Sequence, residues 1–258
     1  MNKKNKTVMI TGGLGGIGFN LVKFFYNKNY NVILIDNKNK TFFSKIDFEK
    51  KENFLKYYKI DLSNSKSIKF KLNSIKKEFK KIDILINCAG IQYVEKIDSF
   101  PDSKWEQIIN INLSSSFYTI KYILPIMKKN NWGRIINIAS VHGQVASLNK
   151  SAYVASKHGM IGLTKTIALE TAQIPITCNA ICPGWVNTPL VSKQIESNAK
   201  KNKTNKYIEE KKLLIEKHPN LKFISVKAIA SMAYHLCSDE ASEITGSSIN
   251  IDGGWTSQ

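Results

Sequence analysis

Short apolar segments rich in β-branched residues alternate along the chain with longer stretches in which apolar positions recur at helical spacing. This alternation is typical of βαβ units and of a parallel sheet covered by helices. Segments such as IDILIN and RIINIA are apolar at nearly every position, as expected for strands that are buried on both faces. The pattern predicts seven strands, at Thr7–Thr11, Asn31–Ile35, Tyr57–Ile60, Ile82–Ile86, Arg134–Ala139, Ile176–Ile181 and Ser248–Ile251.

One predicted helix contains an internal proline, Pro125, which we expect to bend or end that helix near this point. Proline lacks the N–H that the helical ladder needs, and its ring clashes with the preceding turn. The same periodicity places the other helices between the predicted strands. The predicted helices are Gly16–Asn27, Ser65–Lys80, Ser103–Lys129, Ser151–Ala172 and Val226–Ser238.

Residues 187–225 interrupt the strand–helix rhythm, because they are polar, rich in lysine and favourable to helix. We expect this insertion to form a helical lid over a site, with a surface excursion of no functional role as the alternative. The predicted fold class is therefore α/β. A single Rossmann-type, doubly wound domain over residues 1–258 would contain a seven-stranded parallel sheet flanked by helices, together with the lid.

The length and the apolar content are ordinary for one large α/β domain of 258 residues. No apolar stretch approaches the roughly 20 residues that a membrane helix needs. The first residues are polar and basic and do not resemble a signal peptide. These features lead us to expect a cytoplasmic protein that does not act at a membrane.

A formal charge of +18 raises the question of a nucleic-acid partner. The lysines are scattered among asparagines, however, and Arg134 is the only arginine, whereas readers of nucleic acid rely on arginine forks. The pattern favours a solvated lysine-rich surface that attracts small anions, and no nucleic-acid partner. No CxxC pair or histidine cluster accompanies the cysteines, so no metal site is predicted among Cys88, Cys178, Cys182 and Cys237.

A glycine-rich segment, TGGLGGIG, joins the first predicted strand to the first predicted helix. Its glycines allow a tight turn and a close approach to a pyrophosphate, which the free N–H groups of the helix N-terminus would bind. A glycine-rich segment alone could be only a tight turn. Its strand–turn–helix context predicts a dinucleotide site.

Asp36 ends the second predicted strand, 18 residues after Gly18. A carboxylate at this position can accept hydrogen bonds from the adenosine ribose and would repel a 2′-phosphate. The alternative is a turn residue or a helix cap. We therefore predict NAD rather than NADP as the cofactor, with Lys38 and Lys40 as the features that favour NADP.

Tyr153 and Lys157 form a Y-x-x-x-K pair, and Ser140 ends the fifth predicted strand. On a helix the pair shares one face. A phenol with a pKa near ~10 is a poor base at neutral pH, so we expect the Lys157 ammonium to lower the pKa of Tyr153. Tyr153 would then accept the proton of an alcohol while Ser140 hydrogen-bonds the reacting oxygen. Alone such a pair is usually a surface pair, but after the glycine turn it indicates hydride transfer.

The motifs and their order resemble the short-chain dehydrogenase/reductase family over essentially the full length of the chain. The family pattern T-G-x3-G-x-G stands as TGGLGGIG, N-N-A-G stands as NCAG with Cys88 as a departure, and the P-G turn follows the sixth strand. The resemblance implies a homotetramer and a tetrad completed by Asn112, which supports a water relay to the lysine. It also implies that Thr188 contacts the carboxamide of the nicotinamide.

The cofactor-binding set combines the residues of these motifs with strand-ending positions such as Asp61, which could contact the adenine. The predicted set is Thr11, Gly12, Gly16, Ile17, Gly18, Asp36, Asp61, Leu62, Asn87, Ala89, Gly90, Tyr153, Lys157, Pro183, Gly184, Val186 and Thr188. The catalytic set is Asn112, Ser140, Tyr153 and Lys157.

Four separate segments, GIQ, IASVHGQVAS, ICPGWVNTPLVSKQI and INIDGGWTSQ, resemble those of family members that act on 3-hydroxybutyrate. The resemblance implies a ring of donors for the substrate carboxylate and two tryptophans that line the pocket. Ammonium, imidazole and amide groups are the donors that a small carboxylate needs. The predicted substrate-binding residues are Gln92, Ser140, His142, Lys150, Tyr153, Trp185, Gln194 and Trp255.

The sequence therefore predicts NAD-dependent, reversible oxidation of (R)-3-hydroxybutyrate to acetoacetate, without a metal. A reductase of 3-oxoacyl thioesters or of another small ketone is the first alternative, because it would share the tetrad and differ only in an open pocket mouth. A catalytically silent nucleotide-sensing or scaffold protein is a remote alternative. The presence of both Tyr153 and Lys157 argues against it.

Overall fold

A seven-stranded sheet forms the centre of the computed structural model, which describes residues 6–39 and 52–257. The strand order is β3-β2-β1-β4-β5-β6-β7, and every neighbouring pair is parallel. The predicted Rossmann-type sheet is thereby confirmed. The strands are β1 (Thr7–Thr11), β2 (Asn31–Asp36), β3 (Leu55–Lys59), β4 (Ile84–Asn87), β5 (Gly133–Ile138), β6 (Ile176–Pro183) and β7 (Ser248–Ile251).

Helices cover both faces of this sheet, which explains why its strands are apolar at successive positions. Val8 and Ile10 face one core together with residues of the first and last helices, whereas Met9 faces the opposite core. The helices are α1 (Gly16–Asn27), α2 (Ser65–Glu78), α3 (Asp102–Ile109), α4 (Ser115–Lys129), α5 (Ser151–Glu170), α6 (Pro189–Lys201), α7 (Lys206–Lys217) and α8 (Val226–Leu236).

The predicted helix Ser103–Lys129 is in fact three pieces, since a π-helical turn at Asn110–Ser114 separates α3 from α4. Pro125 lies inside α4, which continues to Lys129, so of the two predicted alternatives, a bend or an end, the end of the helix is wrong. Buried apolar residues on both sides of Pro125 pack α4 against the sheet. This tertiary packing offsets the lost backbone hydrogen bond.

The insertion (residues 187–225) folds into α6 and α7 at the carboxyl edge of the sheet. Pro189 begins α6 at a position where its missing N–H costs nothing. The Asn205 side chain caps α7 by accepting the Ile208 N–H. Apolar residues of the insertion form a small core with the pocket walls that follow β5, β6 and β7, comprising Val141, Trp185, Val191, Ile195, Leu213 and Trp255.

The described residues contain no candidate for a membrane-spanning helix. None of their helices is long and apolar enough to cross a bilayer. The carboxyl ends of β1 and β4, where the strand order reverses, are instead the place where this class of fold binds its ligands.

Candidate active site

The glycine turn lies between β1 and α1 and is closed by its own backbone. Gly12 has a φ of +65°, and a Cβ there would lie 2.7 Å from the Ala89 Cα. A Cβ at Gly18 would lie 2.1 Å from the Gly12 carbonyl oxygen. No side chain caps the N-terminus of α1. The first N–H groups of α1 are thus left for an anion, which is the arrangement that a dinucleotide pyrophosphate fits.

Two predicted cofactor residues, Thr11 and Asn87, are buried and bonded within the protein. The Thr11 hydroxyl accepts the N–H groups of Cys88 and Ala89, at 3.1 and 3.2 Å. The Asn87 amide donates to Asn137 Oδ1 at 2.9 Å. These bonds hold the NCAG segment against the glycine turn, so both side chains shape the site from behind.

Asp36 is buried at the end of β2, where its carboxylate reaches the glycine turn. It accepts the Leu14 N–H at 2.9 Å and the Lys38 N–H at 3.1 Å. The Lys38 ammonium donates to the Leu14 carbonyl at 2.9 Å, so a cation and an anion meet at the same turn. Lys40 lies outside the described residues.

Two other predicted cofactor residues lie in loops that follow strands: Asp61 comes after β3, and Thr188 comes after β6, directly before α6. The exposed Asp61 carboxylate accepts from the backbone N–H and the hydroxyl of Ser63, at 2.9 and 2.7 Å. Thr188 precedes α6 without using its hydroxyl as a cap, and a Cβ at Gly16 would lie 2.7 Å from its methyl carbon. The loop after β6 therefore packs directly on the start of α1.

Tyr153 and Lys157 lie one turn apart on α5, as predicted. The Lys157 ammonium donates to the Ile138 carbonyl at 2.7 Å and lies 5.6 Å from the centre of the Tyr153 ring. A Cβ at Gly90 would be 3.7 Å both from this ammonium and from Asn112 Oδ1. The lysine and the asparagine of the predicted tetrad thus flank the same small residue.

Asn112 is completely buried in the π-helical turn. Its side chain accepts the Ile91 N–H and donates to the Ile91 carbonyl, both at 2.9 Å, and donates to the Ser156 hydroxyl at 3.2 Å. Single π-helical turns are frequent at functional sites. The widened turn lets one amide join the segment after β4 to α5.

The Ser140 hydroxyl hydrogen-bonds the Tyr153 phenol, which lowers the pKa of that phenol. Burial has the larger effect and raises the pKa of Tyr153 to about 12. The Lys157 ammonium donates to the Ile138 carbonyl, and a lowering of the Tyr153 pKa by its charge stays a prediction. At neutral pH the phenol holds its proton. Burial also lowers the pKa of Lys157 to about 8, so its ammonium is mostly charged at pH 7.

Three of the four predicted carboxylate ligands meet above the pocket. The Gln92 amide donates to Gln194 Oε1 at 2.8 Å, and the Lys150 ammonium lies 3.4 Å from the same oxygen. Gln194 is part of α6, whereas Gln92 and Lys150 belong to loops after β4 and β5. The insertion and the body of the fold therefore share one cluster of donors.

Aromatic rings form the wall of the pocket beneath these donors. The rings of Trp185 and Trp255 lie 5.5 Å apart, and that of His142 lies 6.0 and 5.2 Å from them. The Lys150 ammonium lies 4.3 Å above the Trp185 ring, a cation–π contact. The Trp185 indole N–H has no hydrogen-bond partner within the described chain.

Burial changes the charge of two pocket groups. It lowers the pKa of Lys150 to about 7, against the opposing charge of Glu216. It also lowers the pKa of His142 to about 3, with help from the charges of Lys150 and Lys217. At neutral pH the histidine is a neutral hydrogen-bonding group, and the lysine is the pocket cation that titrates.

Two contacts of the site were missed in the sequence. The Ser147 hydroxyl bonds His142 Nε2 at 2.8 Å and fixes its ring. Its position in the loop between His142 and Lys150 was the available signal. His218, in the insertion, bonds the backbone of Trp185, and no local pattern indicated this. Within the described residues, no group of three acidic, histidine or cysteine side chains is arranged to hold a metal ion.

Comparison with known proteins connects this geometry to a family. The family model described as short chain dehydrogenase matches residues 6–199. The D-beta-hydroxybutyrate dehydrogenase of Rhizobium meliloti is 43% identical, covering 98% of this chain and 99% of that protein. The enzyme of the same name from Cupriavidus necator is 42% identical, covering 98% of each. A solved 4-hydroxyisoleucine dehydrogenase complexed with NADH matches with a TM-score of 0.87 at 34% identity, covering 98% of this chain and 100% of that one.

Proposed function

We propose a specific reaction for this chain, which belongs to the short-chain dehydrogenase family: reversible, NAD-dependent oxidation of (R)-3-hydroxybutyrate to acetoacetate. One observation carries the proposal. Gln92, Lys150 and Gln194 converge on one point above an aromatic pocket that Ser140 and Tyr153 also line. Ser140, Tyr153 and Gln92 line one cavity of about 460 Å³, part of it open to solvent. Gln92 connects this cavity to Lys150 through Gln194 Oε1.

The acid–base work belongs to Tyr153. In the direction of reduction its phenol, already protonated, gives its proton to the oxygen of the ketone as that oxygen becomes an alcohol. In oxidation the phenol first loses its proton to solvent, and the phenolate oxygen of Tyr153 then accepts the proton of the substrate alcohol. Ser140 holds the reacting oxygen through its hydroxyl, and the Lys157 ammonium stabilises the phenolate that forms. When bound, the nicotinamide dinucleotide supplies the hydride or accepts it.

Substrate orientation belongs to the donor cluster. The carboxylate of a four-carbon acid would take the place of the Gln194 oxygen as acceptor for the Lys150 ammonium and the Gln92 amide. The methyl end of the substrate then lies against the tryptophan and histidine rings. Closure of the insertion as a lid would exclude water from the pocket.

A reductase of 3-oxoacyl thioesters is the rival within the family. It would use the same tetrad, but a thioester has no carboxylate for the donor cluster and needs a path for its long carrier. Turnover of acetoacetate and of acetoacetyl-CoA should be compared with NADH. We expect kcat/KM to favour acetoacetate by at least 100-fold, since a charge-assisted contact is lost with the thioester. A preference for the thioester would make the rival correct.

The choice of NAD rests on Asp36, and the Asp36→Asn variant tests it. Removing the charge beside the Lys38 ammonium should raise the ratio of kcat/KM for NADP⁺ over NAD⁺ by on the order of 100-fold, because the 2′-phosphate no longer meets a like charge. Asp61→Asn is the matched control and should change both values equally. Wild-type preference for NADP⁺, or an unchanged ratio in Asp36→Asn, would refute the assignment.

A further inference from the structure

The imidazole of His218 is completely buried at the end of α7 and is used neither by the tetrad nor by the donor cluster. Its Nδ1 lies 2.7 Å from the Lys222 carbonyl oxygen, and its Nε2 accepts the backbone N–H of Trp185 at 2.9 Å. A carbonyl only accepts and an amide N–H only donates, so Nδ1 carries the hydrogen and Nε2 the lone pair. Both nitrogens are satisfied in this one orientation.

The same ring contacts both walls of the pocket. A Cβ at Gly184 would lie 2.5 Å from His218 Nε2, so the glycine after β6 makes room for the imidazole. On its other side the His218 ring lies 5.8 Å from the Trp255 ring. One side chain of the insertion therefore fixes the backbone of one tryptophan and the indole of the other.

The residues after His218 extend these attachments. The Ile224 N–H donates to the Trp185 carbonyl at 2.8 Å, and the Asn220 N–H donates to the Gly253 carbonyl at 3.3 Å. A Cβ at Gly253 would lie 2.6 Å from the Asn220 side chain. The segment 218–224 is packed between the loop after β6 and the turn after β7, and His218 is its buried polar anchor.

We propose that His218 is a positioning residue that sets the chain length of the accepted hydroxy acid. His218 holds Trp185 and Trp255 at the end of the pocket that receives the substrate's methyl group. This placement of the methyl group rests on the proposed function. A closed apolar end discriminates by one or two methylenes, each of which is worth roughly 10- to 200-fold. If the anchor is lost, the tryptophans shift, so short acids lose contacts and longer acids fit.

Two substitutions separate the hydrogen bond from the volume of the ring. His218→Phe keeps a ring but leaves the backbone N–H of Trp185 without an acceptor, whereas His218→Gln keeps a side-chain acceptor for this N–H. The readout is the ratio of kcat/KM for 3-hydroxybutyrate over 3-hydroxyhexanoate. We expect His218→Phe to lower this ratio at least tenfold, with the KM for NAD⁺ within about twofold of wild type. We expect His218→Gln to recover most of the ratio.

Leu72→Ala serves as the control for a general loss of stability, because Leu72 is completely buried on α2 in the opposite core. It should lower Tm and leave the chain-length ratio unchanged. The near-UV circular dichroism of the ligand-free protein should change in His218→Phe and not in Leu72→Ala, since the Trp185–Trp255 pair is disturbed only in the former.

Separate results decide between the two proposals. Wild-type inactivity toward 3-hydroxybutyrate would contradict the proposed function, and the chain-length ratio would then be measured around the preferred acid, still testing His218. A wild-type ratio and an unchanged spectrum in His218→Phe would overturn the positioning role. Equal loss of the ratio in Leu72→Ala would overturn it too. If His218→Phe does not fold, His218→Asn replaces it. An unchanged ratio of kcat/KM for the two acids in a destabilised His218→Asn would likewise overturn the positioning role.

Discussion

The Tyr153→Phe variant should lose about 10³-fold in kcat for acetoacetate reduction, because the removed oxygen is the one that delivers the proton. KM for acetoacetate should change only a few-fold, since the donor cluster of Gln92, Lys150 and Gln194 is untouched. Steady-state kinetics measure both values. Titration of NADH fluorescence should show that the variant still binds the cofactor.

Tyr93→Phe is the matched control, a partly exposed tyrosine that packs on Phe100 outside the tetrad. It should keep wild-type kcat within about twofold. Retention of more than about a tenth of the activity in Tyr153→Phe would show that another group moves the proton, and the acid–base assignment would then be wrong.

The Lys150→Met variant should bind the substrate more weakly and have a higher free energy of unfolding than the wild-type protein. Loss of the ammonium removes the cation of the donor cluster, so KM for acetoacetate should rise about 100-fold with a smaller change in kcat. Folding lowers the pKa of Lys150 to about 7, which means that the folded chain holds this charge at a cost. Methionine removes that cost, and the free energy of unfolding should rise by about 2–4 kcal/mol at pH 6.

Because folding lowers the pKa of Lys150, the stability of the protein depends on pH. Between pH 7 and the usual lysine pKa of 10.5, the unfolded chain binds more protons at this residue than the folded chain does. The contribution of Lys150 to stability therefore improves as the pH rises through this window. The gain in Lys150→Met should be largest at or below pH 7 and vanish near pH 10.5, as denaturant titrations at several pH values would show.

The same titration should appear in catalysis. Wild-type kcat/KM for acetoacetate reduction should fall up to tenfold between pH 7 and 8, as Lys150 loses its charge. Tyr153 and His142 do not titrate in this range, because burial moves their pKa values to about 12 and about 3. In Lys150→Met, kcat/KM should fall by no more than about twofold between pH 7 and 8, because only Lys157, with a pKa of about 8, titrates there.

Lys217→Met is the control for Lys150, since this lysine lies 5.9 Å from the Trp255 ring but pairs with Glu216. It should leave KM, stability and the pH profile close to wild type. An unchanged KM in Lys150→Met, or a loss of stability at pH 6, would contradict the role given to Lys150.

The sheet could be predicted because its signal is local and repeated. Val8, Met9 and Ile10 are all apolar, since alternate residues face two different helix layers, and the same holds in the other central strands. Some strand ends shifted by one or two residues, as at β3, where burial does not change abruptly. The π-helical turn at Asn110–Ser114 was not predictable, because no residue type in this segment marks a π-helical turn.

The site was predictable to the extent that its groups lie in ordered motifs. Pro125 does not end α4, because the packing of this helix outweighs the local steric rule. The rise of the Tyr153 pKa to about 12 could not be predicted, because spacing reveals the neighbouring ammonium but not the depth of burial. His218 was missed because its partner Trp185 is 33 residues away in a segment without periodicity.

We propose that this chain recognises a small hydroxy acid by its carboxylate, and a single pair of substrates is enough to test this recognition. Initial rates of NAD⁺ reduction should be measured with (R)-3-hydroxybutyrate and with its methyl ester, which differ chiefly in the negative charge. We expect kcat/KM for the acid to exceed that for the ester by at least 100-fold in the wild-type protein and by less than about tenfold in Lys150→Met. Equal or faster turnover of the ester by the wild-type enzyme would contradict it.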